Sequence, residues 1–329
     1  MSATVFAARG EPTTDDARHA VEAARDAGCD LVVAVGGGSP LDLGKAAAAL
    51  LANGGDPLDY LEVIGRGRPL ALPSVPFLAL PTTAGTGSEV TRNAVLSSPE
   101  HGVKASLRSP FMLPRQALVD PDLTLDVPPA VTAATGLDAL TQLVEPFVCS
   151  RSNPLVDALC REGMTRVARS LRRAVEQGSD RAAREDLALA SLFGGLALAN
   201  AGLGVVHGFA AVIGGAFGAP HGAVCARLLG PTSEANARAL VDRGSPGASA
   251  RYDEVARILT GSAAGVTADG VAWIERLCRD FAVPRLGIWG MTERDVPGVV
   301  QKALAASSTR ANPIPLTAEE MAGILFRSL

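Results

Sequence analysis

Histidine is scarce in this chain: His19, His101, His207 and His221 are the only four in 329 residues. Lysine is scarcer still, at Lys45, Lys104 and Lys302, although arginine is abundant. Thirty basic residues against thirty-four acidic ones leave a net charge of −4. Such a balance provides no basic face, so nucleic acid is excluded as a partner class. Cysteine occurs five times (Cys29, Cys149, Cys160, Cys225, Cys278), an odd and scattered set without a CxxC pair. That excludes a disulfide framework and a zinc knuckle, and reads as reduced core thiols of a cytoplasmic protein. No uninterrupted apolar span is present. The longest apolar stretch, residues 187–206, contains five glycines or asparagines and is flanked by Arg184, Glu185, Asp186 and His207. It reads as a buried helix of a globular domain, which excludes a membrane-spanning class. The opening MSATVFAARGEP lacks the apolar segment of a signal peptide.

What is present is a rather apolar globular chain, 47% hydrophobic and 19% charged, long enough for one large or two medium domains. Residues 13–28 predict a helix, with a Thr/Asp start, alanine and valine at helical spacing, and Gly28 as its stop. Residues 31–35 form a β-branched run suited to a strand buried on both faces of a parallel sheet. Gly36, Gly37 and Gly38 then turn the chain, Ser39 is placed to cap, and Pro40 takes the first position of the next helix. Further strands are expected at 75–80 and 116–119. Beyond Pro128-Pro129 strand-like runs vanish and alanine-rich helical patterns continue to Leu329, broken by loops near 178, 218, 245 and 284. The expected architecture is therefore an α/β N-terminal domain over 1–129, parallel and Rossmann-like, followed by an all-α C-terminal domain over 130–329.

Two loops of the first domain have the chemistry to hold phosphate. In GGGS at 36–39 the bare backbone amides and the following helix start suit a pyrophosphate, although GxGxxG is absent. In PTTAGTGSEVT at 81–91, Thr82, Thr83, Thr86, Ser88 and Thr91 follow a predicted strand at the ligand edge of such a sheet. A glycine turn after a strand is more often structural than functional; two such loops in one sheet are harder to dismiss. Lys45 and Lys104 fall in the same region. In the second domain Asp138 and Gln142 are one helical turn apart and share a face. His207 and His221, fourteen residues apart, lie in Ala/Gly-rich surroundings where a buried charge needs a partner. One carboxylate and two imidazoles make a divalent-metal site, and a metal beside a phosphate cradle points to a nicotinamide oxidoreductase. His19 and His101 sit in polar stretches and read as surface residues.

In order and spacing, GGGSPLDLGK, LPTTAGTGSEVT, VDPDL, AATGLDALT, VVHGF and APHG resemble the iron-containing (group III) alcohol dehydrogenase family over nearly the whole chain. The resemblance implies a dehydroquinate synthase-like architecture with a metal in the cleft between its domains. It places the pyrophosphate loop on Gly37, Gly38 and Ser39, further cofactor contacts on Thr82, Thr83, Thr86 and Thr91, and a cofactor-side lysine on Lys104. It places metal ligands, and with them catalysis, on Asp138, His207 and His221. NAD or NADP, Fe²⁺ or Zn²⁺, a small alcohol or aldehyde substrate and a homodimer are implied with it.

Three departures stand out. Gln142 occupies the position of the family's remaining ligand histidine, a neutral and weaker donor. Ala211 replaces a substrate-side histidine, which removes a proton-relay group and enlarges the pocket. The N-terminus is shorter by on the order of 50–60 residues at usual element lengths, leaving the fold incomplete and its first strand as an open edge. Alternatives are a metal-independent maleylacetate reductase-like enzyme, a truncated silent homologue, or a lyase of the dehydroquinate synthase type. The last is disfavoured because no basic cluster lies between His207 and His221.

Overall fold

A computed structural model describes residues 2–244 and 246–329; Ser245, in one of the expected loops, lies outside the described residues. The chain divides into two compact units, residues 1–83 with 87–124, and residues 84–86 with 125–329.

The first unit opens with α1 (Thr14–Asp26), started by a reciprocal cap in which the Thr13 hydroxyl accepts from the Asp16 amide and the Asp16 carboxylate accepts from the Thr13 amide. Then follow β1 (Val32–Gly36), α2 (Gly38–Asn53), the single turn α3 (Pro57–Tyr60) and β2 (Phe77–Pro81). The strands β3 (Asn93–Ser98) and β4 (Val103–Arg108) form an antiparallel hairpin, and the two-residue β5 (Gln116–Ala117) ends the unit. β1, β2 and β5 make a parallel sheet in that order, in register from Val32 opposite Phe77 to Gly36 opposite Pro81.

Two expectations are corrected. β1 is buried on one face only: Ala34 packs with Leu41, Ala48, Phe77 and Ala79, while Val33 and Val35 are 52% and 56% exposed. Alternation along a strand sends successive side chains to opposite faces, and among the described residues only the α2 side is covered. The helix after it starts two residues early, at Gly38, with Gly37 rather than Ser39 as its N-cap and no side-chain cap bond. Boundaries of this kind shift easily by one or two residues, but this one leaves the first-turn amides without a side-chain cap.

The second unit is helical throughout: α4 (Pro129–Val148), α5 (Pro154–Glu176), α6 (Arg181–Asn200), α7 (Val205–Phe217), α8 (His221–Arg243), α9 (Pro246–Thr260), α10 (Thr267–Asp280), α11 (Val296–Ala305) and α12 (Ala318–Ser328). α4 is its spine; Leu137, Leu140, Leu143, Val144 and Phe147 are buried against α5, α6 and α8. A second core joins α7 and α8 to α11 and α12 through Phe209, Ile213, Leu228, Val299 and Ile324. The carboxylate of Asp186 on α6 holds α5, accepting from Arg166 at 2.8 Å, Arg169 at 2.7 and 2.6 Å and Ser170 at 2.5 Å. Among the described residues no single helix is long and apolar enough to cross a membrane. The apolar stretch at 187–206 ends α6 and begins α7, two helices bent by 100°.

Candidate functional site

Asp138 lies mid-way along α4 and is 2% exposed; Gln142 and Glu145 follow on the same side at helical spacing. α7 begins at Val205, so His207 falls in its first turn and is 4% exposed. Glu145 organises that turn. Its carboxylate accepts from the Gly204 amide at 2.9 Å, the Val206 amide at 2.7 Å and His207 Nδ1 at 2.7 Å. A negative charge at a helix start satisfies otherwise unpaired amides, and the bond to Nδ1 fixes the ring so that Nε2 points the other way. His221 opens α8 directly after Pro220, and Cys225 follows one turn later on the same face. Gly222 allows this approach: a Cβ there would lie 2.7 Å from the Ala134 carbonyl oxygen of α4.

The result is a cluster of Asp138, His207, His221 and Cys225 whose donor atoms all lie within 4.8 Å of one another. Asp138 Oδ1 is 3.7 Å from Nε2 of each histidine, and Cys225 Sγ is 3.6 Å from His221 Nε2. The two imidazole rings stand 5.4 Å apart at 51°. Asp138 Oδ1 and His207 Nε2 are fully buried without a hydrogen-bond partner among the described residues. Leaving a buried polar atom unmet costs about 1–3 kcal/mol, more when it is charged. Two such atoms aimed at one point fit a divalent cation, and the set of carboxylate and imidazole donors is one that Zn²⁺ and Fe²⁺ accept. Burial opposes protonation of His207, but the Glu145 hydrogen bond and the charges of Glu145 and Asp138 outweigh it and raise its pKa. Burial, reinforced by Asp138, pushes the Cys225 thiol well above its ordinary range.

Gln142 is also buried, but its amide nitrogen donates to the Thr86 carbonyl at 2.7 Å. Glu145 and Cys225 were missed in the sequence. Their signals were Glu145 seven residues after Asp138 on one helix face, and Cys225 four residues after His221.

In the first unit Gly36, Gly37, Gly38 and Ser39 are half-buried at the carboxyl end of β1 and the start of α2. Thr82 and Thr83 leave the neighbouring β2; the Thr82 amide donates to Gly36 O at 2.9 Å, and a Cβ on Gly37 would come within 3.0 Å of Thr83 Oγ1. The two loops therefore adjoin, with uncapped α2 amides beside threonine hydroxyls. Thr91 is placed differently. It is buried, and its hydroxyl accepts from Lys45 Nζ at 3.0 Å. Lys45 is 1% exposed and also donates to the Ser88 carbonyl and hydroxyl at 2.9 and 2.6 Å, with Asp42 at 3.1 Å. Its ammonium is an internal strut for the loop. Lys104 pairs with Glu11. Thr86 is half-buried and belongs to the second unit.

Comparison with known proteins accords with this geometry. The family model described as "Iron-containing alcohol dehydrogenase" matches residues 1–121, and that of "Fe-containing alcohol dehydrogenase family, C-terminal" matches residues 132–329. The 1,3-propanediol dehydrogenase of Klebsiella pneumoniae is 37% identical over 314 residues, covering 95% of this chain and 79% of that protein. Alcohol dehydrogenase 4 of Schizosaccharomyces pombe is 35% identical over 318 residues, 96% of this chain and 72% of that one. Among solved structures, a 1,3-propanediol oxidoreductase superposes with a TM-score of 0.89 at 35% identity, covering 98% of this chain and 82% of that one. The sulfoacetaldehyde reductase of Bifidobacterium kashiwanohense in complex with NAD+ gives 0.86 at 29%, covering 97% and 81%. The fold and the matched domains define a dehydrogenase that pairs a nicotinamide dinucleotide with a metal. The chain belongs to the iron-containing alcohol dehydrogenase family.

Proposed function

We propose that this protein interconverts a small alcohol and its aldehyde or ketone with NAD or NADP, at a divalent metal held by Asp138, His207 and His221. The observation that carries the reading is a pair of buried atoms that make no hydrogen bond among the described residues, Asp138 Oδ1 and His207 Nε2, 3.7 Å apart, with His221 Nε2 3.7 Å from the same carboxylate oxygen. Bound there, Fe²⁺ or Zn²⁺ supplies Lewis acidity toward an oxygen, an effect that brings the pKa of bound water to about 7 in other enzymes.

The chain's own residues do the rest. Glu145 holds His207 in one tautomer through Nδ1, so Nε2 is left as a donor toward the metal. Asp138 contributes the negative charge that a cation requires in so dry a place. Gly36, Gly37, Gly38 and Ser39 offer uncapped amides to a dinucleotide pyrophosphate, with Thr82 and Thr83 adjoining. Ala211, exposed one turn beyond His207, holds no proton, so the substrate proton passes to water or to the dinucleotide ribose. The names of the Klebsiella relative and of the solved oxidoreductase favour a short primary alcohol, and the NAD+ complex of the reductase favours a nicotinamide carrier. The free cysteines favour a reducing compartment, the cytoplasm. The exposed valine face of β1 favours a homodimer.

Metal-independent chemistry of the maleylacetate reductase type would leave Asp138 Oδ1 and His207 Nε2 buried and unmet, which disfavours it. The test is to measure bound metal and the absorbance of reduced nicotinamide with a panel of short alcohols. Asp138→Ala with His221→Ala is expected to remove both metal and turnover. Turnover that persists in the double variant overturns the metal role, and a folded wild type that neither binds NAD(H) or NADP(H) nor turns over is the silent homologue.

A further inference from the structure

We infer that the Cys225 thiolate is the fourth protein donor to this metal, giving an Asp–His–His–Cys set that prefers zinc to ferrous iron. The inference rests on the metal reading above and adds a ligand and a metal preference to it. Cys225 is fully buried on α8, one turn from His221, and its sulfur lies 3.6 Å from His221 Nε2 within the four-donor cluster. Zinc bonds of roughly 2.0–2.2 Å to nitrogen or oxygen and 2.3 Å to sulfur make a tetrahedron with edges of about 3.3–3.6 Å. The observed separations of 3.6, 3.7 and 3.7 Å are close to those edges. The two nitrogen–oxygen separations of 3.7 Å are too long for ordinary hydrogen bonds.

The rival fourth donor is Gln142. Its amide nitrogen is held by the Thr86 carbonyl at 2.7 Å, and its oxygen offers only a neutral dipole. A thiolate brings a second negative charge, so that carboxylate and thiolate together neutralise a dication in a largely buried site. Thiolate is also the softer donor, which shifts selection from iron toward zinc. Zinc accepts a fifth donor when required, so four protein ligands still leave room for a substrate oxygen.

The test loads the purified full chain separately with Zn²⁺ and Co²⁺. The expected zinc X-ray absorption spectrum contains one sulfur neighbour at about 2.3 Å. The cobalt form is expected to show a near-ultraviolet sulfur-to-metal charge-transfer band. Cys225→Ser should abolish both signals and weaken zinc binding by at least the roughly 10–100-fold that loss of an outer partner costs. Gln142→Ala should keep the sulfur neighbour. One bound zinc with only nitrogen and oxygen neighbours in the wild type overturns the cysteine assignment and leaves the metal reading standing. No metal bound at all overturns both. The wild-type spectra decide the matter even if the serine variant does not fold.

Discussion

Glu145 shows how much a single side chain can organise. One carboxylate meets two helix-start amides and the ring of His207. Glu145→Gln keeps the shape and loses the charge, so metal affinity is expected to fall about 10–100-fold, as read by chelator competition. The site was partly legible at this scale. Asp138, His207 and His221 stood out because imidazole is rare in the chain and their surroundings are apolar, and the structure brings the three together. Cys225 was read as one more core thiol because its spacing to other cysteines carries no pattern; the pattern lay in its spacing to a histidine. Lys45 falls in the cofactor region of the sequence, yet its ammonium is buried among Ser88, Thr91 and Asp42. Only tertiary packing reveals that a charge has been turned inward.

Between helices, small contacts set large ones. Gly222→Ala would press a methyl against the Ala134 carbonyl and push the first turn of α8 away from Asp138. An overpacking cost of about 1–3 kcal/mol is expected, with reduced metal content at unchanged expression. Asp186 gives a prediction with a sign. Burial raises its pKa, but hydrogen bonds from Arg169 and Ser170 and the charges of Arg169 and Arg166 outweigh it, leaving the folded value below the ordinary one. Its contribution is therefore complete above the unfolded carboxylate pKa of about 3.9 and lost as pH falls through the folded value. Asp186→Asn should cost about 1–3 kcal/mol at neutral pH by urea unfolding, and the gap to wild type should narrow in strong acid. α1 was legible through its Thr/Asp start and the α2 start through its glycines, to within two residues. The β3–β4 hairpin went unread, although Ala94 and Leu96 alternate with half-buried neighbours and face Ala105 and Leu107. The runs are short and small-residued, so their pairing partner supplies most of the signal.

Across the whole chain, the division into an α/β unit and a helical unit was legible because hydrophobic periodicity changes near Pro129. The half-exposed state of β1 was not, since a β-branched run looks the same whether one face or both are covered. Val33 and Val35, exposed on a sheet edge, form an apolar strip of the kind that recruits another chain. Val33→Lys with Val35→Lys should lower self-association, measured by light scattering across a concentration series, while the melting temperature of the monomer changes little.

Asp138, His207 and His221 come from three different helices and from points as much as eighty-three positions apart in the chain. An ion gripping all three is a clasp with the topology of a cross-link, closed by affinity instead of by a covalent bond. Stripping it with a chelator should release α4, α7 and α8 together. Deuterium should then enter the amides of residues 204–210 and 221–226 well before it reaches the α5–α6 pair.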